Sequence, residues 1–431
     1  MAVGPLDEAA VRFLRDGQYS KNLQLIMHAI GGLTGTRVPW APAVEVLDEV
    51  RTTAPELAAW LLTTPTVGAW AAGLARRAQH AGEGSEPVDV EIGYLHGLAA
   101  VGAARCGLDA ELTVPVRDGV VLLPTMGAAR FNGPDATMVR VTVRDNRVRL
   151  HGDDEVVDVP ADPHEQTPGW LPLRELSVDT PEPGPRVVLD DLDPYRACYR
   201  KPVAARLSAA EAAGWGRALA GSWQLLAEYA PARAVEIAAG LRSLVPLSPS
   251  HAGPGLSATA RTAFAAMALT LPEHPSHMAV TLVHEFQHSK LSALLDLIPL
   301  YDTAATDRYF APWRRDPRPV GGLLQGAYAF LAVTGMWARL RDADCGTTGP
   351  LRHFAELRLQ VDEVLATLAG VPHLNDDGRT FVGMLRAELD RLLAIPVESH
   401  TERAARAHLE QTRAQWLREA PELNRSVPAS A

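Results

Sequence analysis

The sequence predicts an α+β protein that is mostly helical. Three observations carry this: Ala/Leu-rich segments of helical period at both ends, a block at residues 111–160 that alternates between Gly, Asp and Asn turns, and an apolar, helically spaced run at residues 278–297. Residues 1–108 form an N-terminal helical region, broken by turns at 39–42 and 82–87. Residues 109–185 comprise a β-rich region, where stretches such as Met-Val-Arg-Val-Thr-Val predict a small antiparallel sheet, followed by a Pro-rich connector from 160. Residues 186–345 form the core that carries the run at 278–297, and residues 346–431 a C-terminal helical region, mostly long amphipathic helix.

Composition narrows the function classes. At 431 residues and 47% hydrophobic content, the chain has material for two or three domain cores. A net charge of −10 argues against nucleic-acid partners and anionic membranes, since phosphate recognition needs clustered cations. No secretory signal pattern and no apolar run of about twenty residues is expected. The three cysteines, Cys106, Cys198 and Cys345, lack C-x-x-C spacing and predict free thiols in a reducing, cytoplasmic setting.

The chemistry concentrates in His284-Glu285-Phe286-Gln287-His288. Four residues is slightly more than one helical turn, so both imidazoles project from one face, about 6 Å apart, close enough to share a metal ion. Glu285 lies on the same side and is the candidate catalytic residue: a base in a peptidase, an orienting group in an oxygenase. The expected core is therefore zincin-like, built around the H-E-x-x-H helix. Leu291 and Leu294 stand where a metzincin repeats Gly and His, and no Glu occurs between Glu285 and Glu356 to complete a thermolysin-like site. The nearby carboxylates are Asp296, Asp302, Asp307 and Asp316. Asp302, just beyond Pro299, is the first candidate for a third ligand, with Asp296 and Gln325 as alternatives. Two His plus one carboxylate suits Fe(II) as well as Zn(II). Residues 263–271, one short loop before the motif, read as a strand whose edge could pair with an extended peptide. His274 and His277 fit a loop and helix start, and His251 could sit on a lid loop.

The segments at residues 279–302, 311–319 (Ala-Pro-Trp-Arg-Arg-Asp-Pro-Arg-Pro) and 322–333 (Gly-Leu-Leu-Gln-Gly-Ala-Tyr-Ala-Phe-Leu-Ala-Val), with weaker matches at 244–247 and 257–272, resemble the H-E-x-x-H domain of actinobacterial peptide-maturation clusters. Such domains occur alone or fused to FxsB-type radical-SAM maturases. The family comprises Fe(II)- and 2-oxoglutarate-dependent peptide β-hydroxylases, which use O2 and act on ribosomally made precursor peptides. The resemblance implies that His284 and His288 bind Fe(II), that Arg314 or Arg318 holds the distal carboxylate of 2-oxoglutarate, and that Gln325 lies in the cosubstrate site; Trp313 and Tyr309 could wall it. It also implies a precursor peptide as substrate and other maturation enzymes as partners. Phe330 stands where some relatives carry His, so no third imidazole is expected there. A zinc metallopeptidase with Glu285 as base, and a non-catalytic peptide-binding partner, remain the alternatives.

Overall fold

The computed structural model describes residues 4–32, 38–79, 88–131, 137–178, 184–249, 255–341 and 349–426. His251 and Cys345 lie outside the described residues.

Five helices come first: α1 (Glu8–Gly32), α2 (Ala41–Thr53), α3 (Pro55–Leu62), α4 (Pro65–Gln79) and α5 (Asp89–Cys106). Proline opens α3, where its missing N–H costs no helical bond, and Gly107 ends α5 with φ +70°. The strands β1 (Ala110–Pro115), β2 (Val120–Leu123), β3 (Gly127–Arg130), β4 (Met138–Arg144), β5 (Arg147–His151) and β6 (Val156–Asp158) follow. Strands β1, β4, β5 and β6 form the expected antiparallel sheet in that order. Its register is set by the two-residue turn Asp145-Asn146, both at positive φ, which pairs Arg144 with Arg147 and buries Val139, Val141 and Val143 on one face.

The Pro-rich connector is not structureless. It contains β7 (Trp170–Pro172), which completes a second sheet in the order β2-β3-β7, and β8 (Arg174–Ser177), which pairs with β9 (Arg186–Leu189) in a third. Proline there punctuates short strands instead of excluding them.

The core continues with α6 (Ala209–Tyr229), α7 (Pro231–Gly240), β10 (Ser243–Pro246), β11 (Ser257–Ala258), β12 (Ala266–Leu269), α8 (Pro275–Leu297) and α9 (Val320–Leu340). The third sheet runs β11-β12-β10-β9-β8, with β10 parallel to both β9 and β12 and with antiparallel strands at either edge. Its centre is covered on both sides. Leu244, Met267 and Leu269 face α6 and α8, while Val245, Ala266 and Ala268 face Ala69 of α4 and Tyr199. Side chains alternate across a strand, so a doubly covered strand must be apolar at every position. The strand expected at 263–271 is β12, and it is no edge: β11 covers it. The edge strand on that side is β11.

The C-terminal region folds as three helices, α10 (Pro350–Ala369), α11 (Asp376–Leu393) and α12 (Ser399–Ser426). Asn375 separates the first two by capping α11, its side chain accepting from Gly378 N–H. The four sequence regions share two large cores. One joins α1–α5 to the first two sheets through Trp70, Leu98, Val141 and Trp170; the other joins the third sheet to α6–α11 through Trp223, Phe286, Leu324, Phe354 and Leu385. The expectation of no spanning run meets an exception among the described residues: α9 is long and apolar enough to cross a membrane, and α3 with α4, bent by 66°, passes the same test only as a broken pair. The apolar window of α9 is 72% buried inside the protein, the setting of a core helix.

Candidate metal centre

Helix α8 starts where His274 accepts a hydrogen bond from Ser276 N–H at its ring Nδ1, with Pro275 in the first turn. His274 is therefore a helix cap. The helix ends at Leu297, as Ile298 turns extended ahead of Pro299. Met278, Leu282, Val283 and Phe286 lock one side of α8 into the core and fix its rotation.

That rotation leaves His284 and His288 half-buried on the side facing α9. Their rings meet edge to face, and Nε2 of one lies 3.1 Å from Nε2 of the other. Two imidazole nitrogens bound to one ion at 2.0–2.1 Å are separated by about 2.8 to 3.4 Å between right-angle and tetrahedral geometry. The observed separation falls inside that range. Burial, and then the His288 ring, push the His284 pKa down to about 3, so this imidazole is neutral at physiological pH with a lone pair available to a metal.

Gln325, on α9, sets the second ring. Its Oε1 lies 2.9 Å from His288 Nδ1, and its Nε2 donates to Ser292 Oγ. With Nδ1–H donating to that carbonyl oxygen, the His288 lone pair is on Nε2, the nitrogen that faces His284. Phe330, one and a half turns further along α9, stacks edge-on against His284 at 4.7 Å, and Trp313 packs on Phe330 at 4.5 Å. Trp313 reaches this position because residue 326 is Gly; a Cβ there would fall 2.5 Å from the indole. The row Trp313, Phe330, His284 walls one side of the pair.

Glu285 is buried at 3% exposure and accepts a hydrogen bond from the Thr259 hydroxyl. Thr259 lies one residue beyond β11, so the motif carboxylate is tied to the β11 edge of the sheet. No sequence pattern marks Thr259 or Ser292; both partnerships arise from helix and strand packing.

The other expected residues lie elsewhere. Among the described residues, no group of three or more His, Cys, Asp and Glu side chains comes together as a metal-holding cluster. Asp302 Oδ1 accepts from Ala304 N–H in the turn after α8. Asp296, two turns beyond His288, is occupied by Lys21, Arg261 and Gln18. Arg314 and Arg318 both bind Asp316, at 2.8 and 2.9 Å; burial pushes this carboxyl up, but the two guanidinium groups more than offset it and hold it below its ordinary range. Tyr309 pairs with Arg318 in a backbone bridge and belongs to the same loop.

The fold and site define a helix-rich α+β protein with an H-E-x-x-H helix laid against a mixed sheet. Compared with known proteins, the sequence matches no family model and no curated protein.

Proposed function

We propose that the protein is a metal-dependent peptide hydroxylase that uses Fe(II) and 2-oxoglutarate to hydroxylate a side-chain β-carbon of a ribosomally made precursor peptide. One observation carries the reading: two imidazoles whose Nε2 atoms converge at 3.1 Å, one of them oriented by an amide. When bound, Fe(II) with 2-oxoglutarate and O2 supplies the oxidising chemistry for a C–H bond.

The protein's own contribution is positioning. His284 and His288 would hold the metal through Nε2, and Gln325 keeps His288 in the tautomer this requires. Trp313 and Phe330 exclude water from one flank. Arg318 is the stronger candidate for the cosubstrate carboxylate, because its guanidinium lies over the first turn of α9, within 3.0 Å of a Cβ at Gly322; it would exchange Asp316 for the ligand. The candidates for a third ligand are Asp302, Asp296 and Gln325. An extended peptide would add to β11, where Thr259 links the edge to Glu285. The free thiols Cys106 and Cys198 support a reducing, cytoplasmic setting.

The test is turnover. Anaerobically purified protein, given Fe(II), 2-oxoglutarate, O2 and the precursor peptide, is expected to form succinate and a peptide heavier by one oxygen atom, and His284→Ala to form neither. Stoichiometric zinc with cleaved peptide would establish the metallopeptidase instead, with Glu285 as base. Unchanged peptide modification by the His284→Ala chain in cells would identify a non-catalytic binding partner.

A further inference from the structure

A second site lies away from the motif. Between the N-terminal helices and the third sheet is a cavity of about 370 Å³ whose lining includes Arg15, Trp60, Arg105, Thr125, Arg242 and Ser243, but neither His284 nor His288. Ligand pockets of metabolite size begin near 300 Å³ and favour such junctions between packed units.

Its charges are unusual in what they contact. Arg242 donates to Trp60 O at 3.0 Å, Thr63 Oγ1 at 3.1 Å and Thr64 Oγ1 at 3.3 Å. Arg15 donates to Ala239 O, and Arg105 to Thr125 O. Every one of these acceptors is neutral. Arg105 and Arg242 also both lie over the Trp60 ring, at 4.6 and 4.8 Å. Burial, followed by the charges of Arg15 and Arg105, pushes the Arg242 pKa down to about 9: the guanidinium groups repel one another.

The carboxylates on the same wall do not neutralise them. Glu175 pairs with Arg186, and Arg174, also in the lining, pairs with Asp191. Asp190 accepts from the backbone N–H groups of Leu192 and Asp193, and Asp193 accepts from the Tyr94 hydroxyl and Tyr195 N–H. Burial, and then Asp193, raise the Asp190 pKa to about 7, which leaves it only partly charged at neutral pH. Three lining residues also carry buried polar atoms without a hydrogen-bond partner: Arg15 Nε, Thr125 Oγ1 and Ser243 Oγ. Buried cations and orphaned polar atoms are costly unless something satisfies them.

We propose that this cavity binds a small molecule through a multiply charged oxyanion group, phosphoryl or carboxylate, held by Arg15, Arg105 and Arg242. Planar guanidinium groups suit both, because each can donate two parallel hydrogen bonds to such a group. The site is independent of the metal pair.

Calorimetric titration of the full-length, metal-free chain with pyrophosphate and, separately, with citrate tests this, against sodium chloride of equal ionic strength. Saturable one-site binding of at least one probe is expected; pyrophosphate alone identifies a phosphoryl ligand and citrate alone a carboxylate ligand. Arg105→Gln and Arg15→Gln, each confirmed folded by its thermal midpoint, should weaken binding by about tenfold or more. His284→Ala should leave it unchanged, which separates this site from chelation at the metal centre. Heats no larger than those of the chloride control for both probes, or full affinity in both arginine variants, would overturn the proposal.

Discussion

At His288 a single hydrogen bond decides which ring nitrogen is free. Gln325 accepts at Nδ1, so Gln325→Ala should leave the ring to choose its own tautomer and rotation, and lower Fe(II) or Co(II) affinity about 10- to 100-fold in anaerobic titration; Gln325→Glu should retain most of it. Asp190 supplies a second prediction at this scale. Burial, and then Asp193, raise its pKa from 3.8 to about 7, so the folded chain binds more protons than the unfolded chain between those values. Stability should therefore fall as pH rises from about 4 to about 7, and Asp190→Asn, which keeps the Oδ1 acceptor, should flatten that slope in urea unfolding measured across the range. The His pair was legible in the sequence because a spacing of four is itself the geometry of one helical turn. Gln325 was legible only as a residue near the site, since its orienting contact exists only once α9 packs on α8. Sequence proximity alone points to Asp302 and Asp296, and it cannot register that Asp296 also pairs with Lys21 of α1 and with Arg261.

Helix α8 carries two polar stripes. The metal pair lies on one, and on the other Gln287 and Lys290 meet α7, where Lys290 bonds Glu236 at 2.5 Å with both side chains almost wholly buried. Arg233 and Leu6 N–H complete the shell of Glu236. Lys290→Met leaves Glu236 with Arg233 as a charged partner, so it should cost roughly 1–3 kcal/mol in urea unfolding, less than stranding the carboxylate would. On α9, Gly326→Val should drive Trp313 off Phe330 and destabilise the fold by roughly 1–3 kcal/mol, seen as a changed tryptophan emission together with a lowered thermal midpoint. The element types at 111–160 and at the motif were readable from period and turn chemistry. The status of β12 was not: whether a strand is an edge depends on β11, two residues long and too short to leave a pattern.

At the scale of the molecule, two apolar cores meet across α4, the third sheet and the arginine-lined cavity. Helical and β-rich regions were visible in composition, but their merger into two cores was not, because long-range packing leaves no local period. The exception raised by α9 has the same origin: a helix surrounded by other helices is as apolar as one surrounded by lipid. A ligand that binds only the folded chain stabilises it, by about 2.7 kcal/mol at 100 times its dissociation constant, so metal loading should raise the thermal midpoint and the double variant His284→Ala/His288→Ala should abolish the rise.

The central claim is that His284 and His288 share one cation through Nε2. The most direct measurement is an anaerobic Co(II) titration of the metal-free chain, followed by the visible absorption of the bound ion. One equivalent bound by the wild type, with binding lost in either single His→Ala variant, is the predicted result. Equal binding by the wild type and both variants, or none by the wild type, would contradict it.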